Sequence, residues 1–225
     1  MGAVAALAPA DVIIVVDVFS FTTSVDVATS RGAAILPYAW NGWDDPSAVE
    51  FARAQGAALA GKRRKSRYSL APQSYEDAPP GLRCVLPSPN GARVALAAAA
   101  TGSVVLAGCL RNARAVADAA QRIGNSVNVI PSGERWLDGT LRPALEDMLG
   151  AGAILASLPG PRSPEAAAMI AIFASCRDTL VSTLDACGSG RELAARGHLQ
   201  DKLIAGELDV SRNVPRFDGT AFVAM

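Results

Sequence analysis

Asp17 stands at the end of one apolar run, and Glu134 sits in a Gly-Glu-Arg turn after another. Carboxylates so placed can ligate a hard cation, since Mg²⁺ favours one or two of them together with water and substrate oxygens. Glu146 and Asp147 are adjacent on an expected helix, so their side chains diverge by about 100°. One of the two is expected to serve as ligand or general base and the other to orient a neighbour. The plainer readings are that Asp17 caps a turn, that Glu134 pairs with Arg135, and that acids in a first helical turn complement the helix dipole. Ser88-Pro89-Asn90-Gly91 opens another expected helix, whose free amides and positive end suit an anion, or which is simply an Asn-Gly turn.

Other chemistries find less support. A Ser-His-Asp triad would need the sole histidine, His198, which follows Arg196-Gly197 at an expected helix end, and no Gly-x-Ser-x-Gly elbow occurs. Gly188-Ser189-Gly190 lacks the third glycine of a dinucleotide fingerprint, although Ser189 and Arg191 could meet an anion. Cys84, Cys109, Cys176 and Cys187 are widely spaced, which fits neither a zinc ribbon nor a dense disulfide framework and favours a reducing, cytoplasmic setting. Lys62-Arg63-Arg64-Lys65-Ser66-Arg67 could attract a phosphate or carboxylate substrate, contact nucleic acid, or lie in solvent. With 21 basic and 21 acidic residues, the net charge of zero makes a polyanion-binding module the weakest reading.

The elements that must position these residues follow from short-range patterns. Val12–Val16 is β-branched and apolar throughout, as in a central strand covered on both faces. Thr22-Thr23-Ser24 could cap the helix that follows. Further strands are expected over Ala33–Pro37, Ala57–Ala60, Arg83–Leu86, Val104–Ala107 and Val127–Ile130. Helices are expected over Ser47–Gln55, Ala92–Ala100, Asn112–Ile123, Arg142–Gly150, Glu165–Cys176, Ser189–Arg196 and Asp201–Leu208, with an extended tail over Val210–Val223 and a loop over Ser132–Trp136. This alternation predicts an α/β fold, a layered and largely parallel sheet with helices on both faces. It is read as a single domain over residues 1–225, with an irregular basic loop at about 61–81. Ligands of open parallel sheets bind beyond the carboxyl ends of the strands, where Asp17–Ser24, Ser88–Gly91 and Ser132–Trp136 would all fall. Half the residues are hydrophobic, enough for a core without staples. The first ten residues lack a basic leader, Ala6 replaces the Ser or Thr of a myristoylation site, and no uncharged apolar run reaches the ~18 residues of a span. Neither secretion nor a membrane is expected.

Taken in order, five stretches make the chain resemble the 2-phosphosulfolactate phosphatase (ComB-like) family from Val12 to about Phe222. They are Val16-Asp17-Val18-Phe19-Ser20-Phe21-Thr22-Thr23, Pro89-Asn90-Gly91-Ala92, Gly108-Cys109-Leu110-Arg111-Asn112-Ala113, Leu145-Glu146-Asp147 with Gly150-Ala151-Gly152, and Ser189-Gly190-Arg191-Glu192-Leu193. The resemblance implies an α/β, Mg²⁺-dependent phosphatase that releases phosphate from 2-phosphosulfolactate on a route to coenzyme M. It implies Asp17, Glu146 and Asp147 as catalytic positions, with Asp147 the first choice of base. Asn90 is a further position it matches; together with the residue reading above, the candidates toward the substrate are Ser20, Ser88, Asn90, Gly91, Arg111 and Asn112, and toward the metal Asp17 with Glu134 or Glu146. The family usually has Asp-Val-x-Arg-Ala-Thr, so Ser20 stands in place of an arginine, for which the basic run 62–67 could compensate. Its Gly-Asn-Ser-Pro segment has Ser69-Leu70-Ala71-Pro72 as nearest counterpart. The expected partner is a small anionic phosphate ester, with self-association left open. A non-catalytic anion-binding relative and a nucleic-acid-binding protein are the alternatives.

Overall fold

Val12–Val16 (β1) is fully buried, and alternate side chains feed two different cores. Ile13 and Val15 pack with one hydrophobic cluster and Val12, Ile14 and Val16 with the other, as the two-residue period of a strand covered on both faces requires. These relations come from a computed structural model describing residues 10–42 and 44–225. The leader and acylation readings, which concern residues 1–9, lie outside the described residues.

After β1 come a helix at Phe21–Ser30 (α1), a strand at Ala34–Ala39 (β2), a helix at Pro46–Ala54 (α2) and a two-residue strand at Ala58–Leu59 (β3). The α2 start follows the expected chemistry: Asp45 Oδ1 accepts from Ser47 N at 2.9 Å, and Pro46 occupies the first turn. Residues 61–81 hold turns, a Gly61–Ser69 bridge and a 3₁₀ turn at Pro72–Tyr75. Arg83–Ser88 (β4), Gly91–Ala99 (α3), Val104–Gly108 (β5), Ala113–Ile123 (α4) and Val127–Pro131 (β6) then alternate.

From here expectation and structure differ. The loop after β6 contains a short hairpin, Glu134–Arg135 (β7) with Leu141–Arg142 (β8), and the next helix (α5) runs over Leu145–Ser157 rather than from Arg142. Pro143 cannot donate to the ladder and separates Arg142 from that helix. Pro164–Cys176 (α6), Leu180–Ala186 (α7), Gly188–Ala195 (α8) and Leu199–Ala205 (α9) follow, α7 having been absent from the sequence reading. Pro164–Ala186 is a continuous helical stretch of 23 residues, long and apolar enough by composition to cross a membrane. Arg177 and Asp178 lie in a 3₁₀ turn within it, most of it is not buried, and Phe173, Leu180 and Leu184 pack in the same core as α5.

The extended tail forms two strands, Pro215–Phe217 (β9) and Phe222–Ala224 (β10), inside the main sheet. The eight strands are ordered β3-β4-β2-β10-β9-β5-β1-β6. β3, β4 and β2 are mutually parallel, as are β5, β1 and β6. The pairs β2–β10, β10–β9 and β9–β5 are antiparallel, so three reversals leave the two parallel blocks running in opposite directions. In a flat sheet their carboxyl ends would lie at opposite edges. Residues following β1 and β4 nevertheless touch directly, Gly91 N donating to Asp17 Oδ2. α1 and α3 share one core cluster, and α3 contacts strands of both blocks.

Phe222 anchors this hairpin. It is fully buried, edge-on to Phe21 at 6.2 Å and tilted against Phe217 at 5.4 Å. Phe222→Ala is expected to lower folding stability by about 3–5 kcal/mol. Urea unfolding would read this as a lower midpoint, and a loss under about 1 kcal/mol would contradict a core role for the hairpin.

Candidate active site

Asp17 ends β1 and is buried, with both carboxylate oxygens bonded to the starts of helices. Oδ1 accepts from Phe21 N at 3.1 Å, at the start of α1, and Oδ2 from Gly91 N at 2.8 Å, at the start of α3. The backbone around Asp17 is held by Thr22, whose Oγ1 accepts from Asp17 N at 2.9 Å and donates to Asp17 O at 2.8 Å. Thr23 Oγ1 donates to Val18 O at 2.8 Å. The threonines thus brace the turn by bonding back to it, and the helix begins at Phe21 with Ser20 as its capping position, rather than being capped by Thr22-Thr23-Ser24. Only glycine fits at 91, because a Cβ there would lie 2.5 Å from Asp17 Oδ2 and 2.6 Å from Phe21 Cδ1.

A cavity of about 660 Å³ opens over this turn. Asp17, Ser20, Ser88, Asn90 and Glu134 line it, bringing together the polar segments after β1, β4 and β6. Asn90 precedes α3, yet its side chain makes no capping bond; Nδ2 donates to Glu134 Oε2 at 2.9 Å, and Oδ1 is buried without a partner. Ser132 Oγ is likewise buried and unpartnered. Burial chiefly, with the Glu146 carboxylate adding to it, pushes Asp17 up to about 6 against its backbone donors and Arg63. Burial, then the charges of Asp17 and Glu146, push Glu134 up to about 7, although Asn90 and Arg142 oppose the shift.

Asp147 is not placed where the expected base would meet a substrate. It is buried on α5, and its oxygens accept from Val18 N at 2.7 Å and Gly133 N at 2.9 Å. It ties the loops after β1 and β6 together and lies outside the cavity lining. Burial, reinforced by Asp17 and Glu146, raises its pKa well above the ordinary carboxylate range. Glu146 is also buried and off the lining; its Oε2 accepts from the Cys187 thiol at 3.6 Å. Among the described residues, no three His, Cys, Asp or Glu side chains gather closely enough to hold a metal ion, so Asp17, Glu134 and Glu146 do not form a three-carboxylate cage. The composition of the site nevertheless suits Mg²⁺, which needs only one or two carboxylates plus water and phosphate oxygens. Asp17, Glu134 and the unpartnered Asn90 Oδ1 supply such donors.

Three further expectations change. The Gly91 amide is not available to a phosphoryl group, because Asp17 already holds it. Arg111 faces away from the cavity, paired with Asp26 at 3.1 Å and with Glu207. Asn112 folds its loop: Oδ1 accepts from Cys109 N at 2.9 Å while Nδ2 donates to the Ala107 and Asn213 carbonyls. Both residues serve the packing of the C-terminal segment against β5.

The cavity also recruits cations, among them Arg63, from the basic run offered above as compensation at Ser20, and Arg142, which the sequence reading did not single out. Arg63, from the basic run, donates through Nε to Asp201 Oδ2 at 2.8 Å and through Nη2 to Ser20 Oγ at 2.8 Å and Leu70 O at 2.9 Å. A guanidinium thus reaches Ser20 from a distant loop. Arg142 ends the β7–β8 hairpin, pairs with Glu192 at 3.0 Å and stacks 5.5 Å from the Trp136 ring. Its only local signal was Pro143, which stops a helix from starting before it. Arg64 bonds the Gly197 carbonyl and Arg67 lies over Tyr68, so part of the basic run is engaged with the protein itself. The four cysteines are free thiols.

A curated 2-phosphosulfolactate phosphatase from Methanothermobacter thermautotrophicus is 28% identical over 209 residues, covering 90% of this chain and 84% of the relative. The family model for 2-phosphosulpholactate phosphatase matches residues 4–220, and the chain belongs to that family.

Proposed function

We propose that the protein hydrolyses the phosphate monoester of a small 2-hydroxy acid such as 2-phosphosulfolactate, with Mg²⁺ as cofactor. The observation that carries this reading is the meeting of Asp17, Asn90 and Glu134 in a cavity whose other walls bear Arg63 and Arg142. Asp17 and Asn90 Oδ1 would hold the ion, with Glu134 beside them. When bound, Mg²⁺ would neutralise phosphate oxygens and balance the buried negative charge. Asp17 is kept in place by two backbone amides, so it presents its remaining lone pairs without reorganising. Glu134 is the group we assign to accept a proton from the attacking water; in the metal-free protein, burial and the neighbouring acids push it up to about 7. Asn90 Nδ2 orients that carboxylate through Oε2 and leaves Oε1 for the water. Asp147 is a positioning residue, holding the loops that carry Asp17 and Glu134.

With Mg²⁺ present, the protein should release phosphate from 2-phosphosulfolactate, and chelation should stop the release reversibly. Asp17→Asn is expected to reduce kcat/KM by about 10²–10³-fold, the scale of losing one preorganised electrostatic contact. A folded preparation that releases no phosphate with Mg²⁺ would overturn the reading.

The raised carboxylates also predict a pH dependence of stability in metal-free protein. Asp17 moves from 3.8 to about 6 and Glu134 from 4.5 to about 7, so folding favours their protonated forms. Their contribution is fully present below the unfolded values and is lost as pH rises through the folded ones. Thermal unfolding should therefore show stability falling between about pH 4 and 7. Glu134→Gln should shallow that fall, and an unchanged profile would contradict the assignment.

A further inference from the structure

Arg63 is held more firmly than a residue of a solvated basic loop needs to be. Nε is spent on Asp201, whose carboxylate is buried, and Nη2 is shared between Ser20 Oγ and the Leu70 carbonyl. Nη1 has no partner among the described residues. Ser20 is 3% exposed, and its Oγ accepts from Arg63, which leaves its own proton without an acceptor among the described residues. Both residues line the cavity beside Asp17. Two hydrogen-bond donors, one hydroxyl and one guanidinium N–H, therefore belong to residues that line it and are fixed by other contacts in advance of any ligand.

We infer that Ser20 Oγ and Arg63 Nη1 form a subsite for a second acid group of the substrate, a carboxylate that is not transferred. This rests on the phosphatase reading above and adds to it the side chains that set the specificity: Ser20 and Arg63 select the acid-bearing ester over a simple alkyl phosphate. The stoichiometry of donors and charge favours that group over the phosphoryl group. A phosphate monoester presents three oxygens and up to two charges. Here two donors and a cation already shared with Asp201 match a singly charged, two-oxygen face. Asp201 is a positioning residue, since it fixes the guanidinium plane without lining the cavity.

The test compares 2-phosphoglycolate with ethyl phosphate, which lacks the carboxylate, at saturating Mg²⁺. Wild type should favour 2-phosphoglycolate, and in Arg63→Met the ratio of the two kcat/KM values should fall roughly tenfold or more, the scale of one charge-assisted hydrogen bond. Ser20→Ala, which leaves the Arg63–Asp201 pair intact, should lower the same ratio and guards against a folding defect in the first variant. Equal losses on both esters would overturn the inference, because Arg63 would then act on the phosphoryl group; an unchanged ratio in both variants would overturn it as well. Calorimetric binding of sulfolactate, which carries no phosphate, separates the subsite from turnover. Wild type should bind it and Arg63→Met roughly tenfold or more weakly, again by one charge-assisted bond. Equal affinities, or no binding to wild type, would overturn the subsite. Absence of phosphate release from either ester would count against the phosphatase reading alone.

Discussion

The Asp17 carboxylate is the constraint on which the site depends. One oxygen holds the first amide of α1 and the other the first amide of α3. Those helices follow strands of the two oppositely directed blocks, so a single side chain fastens together chain segments that sheet topology alone would separate. The close approach has a steric condition, since any side chain at residue 91 would collide with Asp17 and Phe21. Asp147 repeats the device one layer back, joining the loop after β1 to the loop after β6 through backbone amides. Neither carboxylate could do this from the surface, where water would compete for the same amides.

Burying these acids together has an electrostatic cost that the surrounding groups answer only in part. Desolvation and mutual repulsion raise Asp17, Glu134 and Asp147, while backbone donors and the arginines pull in the other direction. An arrangement of buried acids with raised pKa values, an unpartnered amide oxygen and nearby guanidinium groups is better suited to binding charge than to stability. The chain tolerates it because the rest of the core is conventional: β1 is apolar on both faces, and the clusters on either side of it are built from aliphatic, aromatic and small side chains. The cavity is correspondingly mixed in sign, acidic where Asp17 and Glu134 stand and basic where Arg63 and Arg142 reach in.

Much of this was legible in the sequence, and the boundary has a physical cause. The type and order of most elements follow from patterns a few residues long: the unbroken β-branched run of β1, Asp45-Pro46 before α2, the Asn-Gly turn before α3. Each acts through neighbours in the chain, through pleat, capping or backbone torsion. The polar segments after β1, β4 and β6 could be recognised as one group for the same reason. Arg63 was visible only as one charge in a basic run, and Arg142 was absorbed into a helix that Pro143 prevents.

What the sequence by itself determined is the α/β alternation and the family-like succession of acidic and glycine-bearing turns. Only the tertiary structure decided which of those side chains line the cavity. Asp147 carries the same carboxyl group whether it meets water or two amides; Asn112 reads like Asn90 until one bonds its own loop and the other Glu134. The placing of β9 and β10 between the two parallel blocks belongs there too, since strands of three residues have too short a pattern to name their partners. Pairing across dozens of residues is selected by burial and packing of the whole core, and those contacts exist only once the chain has closed on itself.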